Sequence, residues 1–253
     1  MTSRIPSYYT GLRPFAKLFA TGWPVLMYHK LGPRPRGVRR KGLYVSRRLF
    51  DRQLSELRGA GFCTTPYAAP KSPANPDAKT IALTFDDGFA NVLRHGLAPL
   101  ARHGFQAVQF LVADLLGGAN DWEIREGEAR ETLMDAAQVR EWLAAGHDIG
   151  SHTLTHPRLS QIPLDQAREE ISASKKKLED LFHRPIRHFC YPFGDWNPAI
   201  AALVAEAGYE TACTTALGVN TPATPPFALK RITARYQSVS FKELKARLFP
   251  AGS

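Results

Sequence analysis

Two short stretches of the chain carry residues that can do chemistry together. The first is Ile81-Ala82-Leu83-Thr84-Phe85-Asp86-Asp87-Gly88-Phe89, an apolar run ending in adjacent carboxylates. Neighbouring carboxylates repel, so the pair is costly unless a cation or a shared proton relieves it. A turn with an aspartate N-cap is the rival reading, because Asp suits both positions. The second stretch is Gly150-Ser151-His152-Thr153-Leu154-Thr155-His156-Pro157, with histidines four residues apart. On a helical turn that spacing puts both imidazoles on one side, as shared metal ligation requires. Pro157 restricts the segment to a single turn or a loop. One such pair is weak by itself. Coming from a different strand end than Asp86-Asp87, it offers two imidazoles and a carboxylate to one centre. That donor set leaves positions open on a metal, the pattern of a catalytic site. It also fits a non-haem iron oxygenase, although those sites belong to jelly-roll barrels.

The elements that must hold these residues are short strands alternating with helices. Apolar runs at Pro24–His29, Thr80–Phe85, Ala107–Val112, His147–Ser151, Arg187–Tyr191, Tyr209–Cys213 and Leu229–Arg235 read as strands. Four helical patterns end in Gly with a strand following at once: Ala60-Gly61-Phe62, His103-Gly104-Phe105, Ala145-Gly146-His147 and Ala207-Gly208-Tyr209. Ser46, Asp135 and Ser240 are N-cap candidates, and Asn197-Pro198 joins an N-cap to Pro at the first helical position. This alternation means βαβ units and a mostly parallel sheet, and seven units favour a barrel over an open sheet. In such folds the C-terminal strand ends carry the chemistry, where both motifs fall. No Gly-rich phosphate fingerprint follows a strand, which disfavours a nucleotide-binding domain. The Ser72–Ala78 stretch reads as a loop.

The 253 residues, 44% apolar and 22% charged, exclude a mainly disordered or fibrous chain. Cys63, Cys190 and Cys213 lack zinc-knuckle spacing and read as reduced thiols. The apolar stretch from Leu18 to Tyr28 follows Arg4, Arg13 and Lys17, but Gly22 and Pro24 break it. It is too short to span a bilayer. The expectation is a cytoplasmic protein, with no signal peptide or transmembrane helix.

Together the Thr-Phe-Asp-Asp-Gly and Ser-His-Thr-Leu-Thr-His blocks resemble the polysaccharide deacetylase family, the NodB-homology carbohydrate esterases. The resemblance covers roughly residues 22 to 236. It implies an α/β fold, an irregular (β/α)7 barrel in a single domain, with residues 1–21 as an N-terminal extension and 22–253 as the catalytic domain. It further implies Asp86 as general base and Asp87, His152 and His156 as ligands of a divalent metal, zinc or otherwise Co2+, Ni2+ or Mn2+. The helix near Leu164 to Phe182 also looks like the family's. The expected activity is N-deacetylation of an N-acetylated glycan or a lipid-linked sugar; a non-catalytic glycan-binding pseudoenzyme is the alternative.

A third block, Phe189-Cys190-Tyr191-Pro192-Phe193-Gly194-Asp195-Trp196-Asn197, resembles the family's Arg-Pro-Pro-Tyr-Gly segment, in a form closer to the exopolysaccharide deacetylases. Tyr191, Pro192, Phe193 and Trp196 are expected at the substrate and oxyanion, with the Phe193 N–H in the oxyanion role. Cys190 stands where the family has the Arg that orients the base. The family's Leu-x-His acid motif reads Leu229-Lys230-Arg231, and Arg231 can hold charge but cannot give up a proton at neutral pH. His29, after the first strand, is the expected substitute acid, with His188 second.

The net charge of +10 is concentrated. From Lys30 to Arg52 nine basic residues face one acid, Asp51, giving 9 − 1 = +8. Arg39, Arg40 and Lys41 are therefore expected to form an anion-binding lip at the site, for a phosphate or an anionic membrane surface. Nucleic acid, motivated by charge alone, is disfavoured.

Overall fold

Gly61, Gly104, Gly146 and Gly208 all take left-handed backbone conformations, with φ of 82°, 67°, 86° and 81°. Each ends a helix and releases the chain into a strand, as the sequence requires. The structure, a computed structural model, describes residues 6–64 and 79–235. Its strands are β1 (Val25–Tyr28), β2 (Lys30–Leu31), β3 (Tyr44–Val45), β4 (Cys63–Thr64), β5 (Thr80–Phe85), β6 (Val108–Leu111), β7 (Asp148–Ser151), β8 (His188–Cys190), β9 (Thr211–Leu217) and β10 (Leu229–Thr233). The helices are α1 (Ala16–Phe19), α2 (Arg47–Gly59), α3 (Ala90–His103), α4 (Asp121–Ile124), α5 (Ala136–Ala144), α6 (Leu164–Phe182) and α7 (Pro198–Glu206). All seven expected strands are present, trimmed by a residue or two at most ends. β9 instead runs four residues beyond Cys213. The Ser72–Ala78 loop and the Ser240 cap lie outside the described residues.

Seven strands pair in the order β1-β5-β6-β7-β8-β9-β10, and β10 returns to β1. Every pairing is parallel, so the sheet is a closed parallel (β/α)7 barrel. Alternation along the strands divides the core in two. One face packs against the helices in a large cluster that includes Leu26, Leu83, Leu111 and Phe189. The other fills a narrow interior with Val25, Ala82, Val108, Phe110, Cys190, Cys213 and Leu229. None of the three cysteines is in a disulfide.

Caps form where the sequence placed them. Ser46 accepts from the Leu49 N–H at the start of α2, and Asn197 accepts from Ile200 at the start of α7. Asp135 and Gln138 form a reciprocal capping box on α5.

Two expectations gain structural detail. The described part of the N-terminal extension is not detached from the barrel. Tyr9 donates its N–H to Thr233 O at 2.8 Å, and Phe15 and Phe19 are buried in the outer core against Tyr9 and Phe62. These aromatic contacts pack the segment onto the outside of the barrel. The basic run from Lys30 to Arg52 is not one free lip either. Lys30 is fully buried with Nζ 2.6 Å from Glu123 Oε2, and Arg40 pairs with Glu126. The Arg39 and Arg40 N–H groups donate to Glu128, whose carboxyl lies below its ordinary value: burial raises it, but these backbone donors outweigh that. Glu123 and Glu126 thus answer two of the run's cations, Lys30 and Arg40. Among the described residues no helix is long and apolar enough to cross a membrane.

Removal of the α5 cap in Asp135→Ala should cost about 1 kcal/mol. The expected readout is a lower urea midpoint with an unchanged denaturant slope.

Candidate active site

The C-terminal ends of the barrel strands open into one cavity of about 510 Å³. Asp86 and Asp87 enter it directly after β5, His29 after β1, His152 after β7 and Tyr191 after β8. His156 and Phe193 line it from the following loops. The two sequence motifs therefore meet as expected.

Asp87 Oδ1 lies 3.3 Å from Nε2 of both His152 and His156. Burial raises the Asp87 carboxyl, but its hydrogen bonds with both imidazoles hold it well below the ordinary range. His152 Nδ1 lies 2.7 Å from the Cys190 carbonyl oxygen. A carbonyl can only accept, so Nδ1 carries a proton and the bond turns Nε2 toward Asp87. Burial lowers His156 to about 4, against the pull of Asp87, so its ring is neutral at pH 7. A carboxylate oxygen and two imidazole nitrogens within 4.8 Å of one another form a donor set suited to a divalent metal. A second cluster, Asp86, His152 and Cys190, meets the same distance test but is occupied by a cation already. Arg231 takes both oxygens of Asp86 and reaches Cys190 Sγ.

The histidine pair does not sit on a helical turn. Thr153 and His156 have φ of 70° and 68°, so the imidazoles converge from a tight loop. The two rings meet at 4.8 Å and 71°. Glu170 on α6 ties this loop down, accepting from the Leu154 and Thr155 N–H groups and from the Thr155 hydroxyl. Asp87 (φ 76°) and Phe193 (φ 59°) are left-handed as well. Four of the five non-glycine residues with positive φ among the described residues thus belong to the site, where strain is characteristically stored.

His156 is held between two rings. Trp122 of α4 stacks on it at 4.2 Å and 21°, and Phe193 meets it edge-on at 4.6 Å. Arg158 covers the far face of the stack, 4.0 Å over Phe193. Trp122 and Glu170 were invisible to sequence reasoning. Trp122 lies in a long β6–α5 connection without a motif. Glu170 left one usable sign, a carboxylate on the buried stripe of α6 beside Ala167, Ile171 and Ser174.

Other expected residues are placed differently. His29 lines the cavity with Nε2 3.9 Å from Asp86 Oδ2. His188 is buried within β8, bonded to the Thr211 hydroxyl at 2.9 Å, and does not line the cavity. Tyr191 forms part of the wall, its hydroxyl donating to Phe227 O. Pro192 is buried behind that wall, and Trp196 stacks on Tyr191 without lining the cavity. Arg39, Arg40 and Lys41 do line it. Arg231 does not: it is buried beneath Asp86, inside the barrel.

A family profile described as "Polysaccharide deacetylase" matches residues 74–212, more than half of the chain. The chain belongs to the polysaccharide deacetylase family. A Bacillus subtilis (strain 168) protein, YxkH, provisionally named a polysaccharide deacetylase, is 25% identical over 213 residues, 83% of this chain and 70% of the relative. A chitooligosaccharide deacetylase from Bradyrhizobium sp. (strain ANU 289) is 26% identical over 132 residues, 51% of this chain, which spans about half of that relative (53%). Among solved structures, Streptococcus pyogenes deacetylase PplD in complex with acetate superposes with a TM-score of 0.72 at 24% identity, over 90% of this chain and 99% of that one. That likeness is one of fold.

Within the polysaccharide deacetylase pattern, the two departures at Cys190 and Arg231 prove to be one rearrangement. The guanidinium expected at position 190 comes instead from β10. Arg231 NH1 and NH2 hold Asp86 Oδ1 and Oδ2 at 2.7 and 2.8 Å, and NH2 lies 3.1 Å from Cys190 Sγ. Burial alone would raise the Asp86 carboxyl; the Arg231 charge and its two hydrogen bonds bring it below the ordinary value. Arg231 Nε donates to Thr214 O and NH1 also to Thr84 Oγ1, so the guanidinium is fully employed.

Arg231→Met should leave a buried carboxylate unpaired and cost about 3–5 kcal/mol in unfolding free energy. Adding Asp86→Asn should recover a large part of that loss. Additive costs in a urea double-mutant cycle would mean that the pair is not coupled.

Proposed function

We propose that the protein is a metal-dependent N-deacetylase that hydrolyses the acetamido group of an N-acetylated amino sugar in a glycan or glycan precursor. One observation carries the reading. A carboxylate locked in the ionised form by Arg231 stands beside a complete two-histidine, one-carboxylate donor set in a single cavity. Asp87, His152 and His156 would hold the metal, zinc or alternatively cobalt, nickel or manganese. The fit rests on the donor chemistry: a carboxylate oxygen and two imidazole nitrogens converge within 4.8 Å, and the Cys190 carbonyl orients the His152 ring. Such a metal supplies Lewis-acid polarisation and a more acidic water.

The remaining roles belong to the chain. Asp86, kept anionic and fixed in orientation by Arg231, takes the proton of the attacking water. The hydroxide oxygen bonds to the acetyl carbon, and the Phe193 backbone N–H stabilises the oxyanion that forms. As the carbon–nitrogen bond breaks, the leaving nitrogen needs a proton, and His29 gives it. Its Nε2, 3.9 Å from Asp86 on the cavity wall, is placed for that step. Acetate and a free amino sugar result. Tyr191 and Phe193 wall the acetyl group away from water.

The test is acetate release from N,N′,N″-triacetylchitotriose by metal-loaded protein. Release should stop with a chelator and return with zinc or cobalt in the absence of oxygen. Asp86→Asn should lower kcat by about 10²- to 10⁴-fold, the range for loss of a general base, with bound metal unchanged. Acetate release that survives chelation would overturn the mechanism, and failure to turn over any N-acetylated sugar would leave a pseudoenzyme.

A further inference from the structure

Part of the cavity lining is cationic, made by Arg39, Arg40, Lys41 and Arg235. Its charges are not all spent. Arg40 pairs with Glu126 and lies 3.8 Å from Glu123, which also holds Lys30. Among the described residues Arg39, Lys41 and Arg235 have no ion-pair carboxylate. The acids of the cavity cannot neutralise them. Asp86 is committed to Arg231, Asp87 faces both imidazoles, and Glu123 answers Lys30 and Arg40.

Two of these cations are seated rather than loose. A Cβ at Gly127 would lie 3.1 Å from Arg39 NH1 and 3.3 Å from its Cζ. One at Gly42 would lie 3.0 Å from Arg235 Cδ and 3.1 Å from its Nε and NH1. Each guanidinium thus lies close against a glycine of the neighbouring backbone. Arg39 NH1 donates to Glu126 O at 3.3 Å, and Arg235 stacks 4.0 Å over Tyr8. Arg235 Nε is buried with no hydrogen-bond partner among the described residues. An unpartnered buried donor on a guanidinium is costly, and an anion in the cavity would satisfy it.

We propose that Arg39, Lys41 and Arg235 form an anion subsite, and that the substrate is an N-acetylated amino sugar bearing a phosphate or pyrophosphate beside the sugar that is deacetylated. The inference rests on the deacetylase reading for its chemistry and on the cationic wall for its substrate class. The acetamido end would meet the aspartates and histidines while the phosphate meets the cationic lining of the same cavity. A nucleotide sugar and a lipid pyrophosphate-linked sugar share this chemistry.

Two measurements test it. Calorimetric titration of metal-loaded protein with inorganic pyrophosphate should show binding that weakens about tenfold in Arg235→Gln and again in Lys41→Gln, the scale of one charged hydrogen bond. Binding that is absent, or equal in all three proteins, overturns the subsite, whatever the enzymatic activity. Turnover is then compared on N,N′-diacetylchitobiose, UDP-N-acetylglucosamine and farnesyl-pyrophosphate-linked N-acetylglucosamine. The ratio of kcat/KM for a phosphorylated sugar to that for chitobiose should exceed about ten at low salt and fall with ionic strength. In both variants the ratio should drop, mainly through KM. The two phosphorylated arms distinguish a soluble from a lipid-borne source. Rapid deacetylation of chitobiose with a ratio near one would overturn the substrate class and leave the deacetylase reading standing.

Discussion

The structure turns on one buried ion pair. Arg231 and Asp86 meet inside a closed barrel, where removing either charge leaves the other buried at a cost of several kcal/mol. The pair dictates its surroundings. The barrel interior has to be lined by small side chains on this side, and Ala82, Thr84, Cys190 and Cys213 supply them. The β9–β10 register shifts between Leu229 and Arg231, next to the point where Arg231 Nε reaches Thr214 O. An ionised carboxylate of fixed orientation at the cavity floor results, and the chemistry proposed for this protein starts from it.

The residues around that floor are supported from behind in a similar way. Lys30 directly follows His29 and Glu123 directly follows Trp122. Their buried contact at 2.6 Å therefore joins a wall histidine to the ring stacked on His156. The Lys30 ammonium also lies 4.4 Å over Phe89, close after the aspartates. The outcome is a site whose functional side chains come from loops but whose loops are fixed by buried charge.

What could be read beforehand follows from how local each signal is. The strands, the glycine junctions and the caps are written in neighbouring residues, and they appear where the sequence places them. The meeting of Asp87 with His152 and His156 was legible because strand ends in a parallel barrel share one mouth. The histidine segment, read as a single turn or a loop, is a loop, and its left-handed residues, neither Gly nor Asn, gave no local sign of its shape. The role of Arg231 was missed for a different reason. Its partner is 145 positions away, and nothing local distinguishes a guanidinium facing a barrel interior from one facing substrate. The pairing of Lys30 and Arg40 within the basic run was not legible, because the acids that answer them, Glu123 and Glu126, lie in another connection.

The left-handed backbone at Asp87, Thr153, His156 and Phe193 has a bearing on engineering. The ligand geometry is encoded in main-chain shape as much as in side-chain identity. Copying Asp, His and His onto another parallel barrel would place the right atoms on the wrong trajectories. A transplant would have to carry the 152–157 loop as a unit, together with a carboxylate in the position of Glu170 to hold its amides. For the same reason, a residual catalyst is easier to make from this chain by altering side chains than by shortening loops.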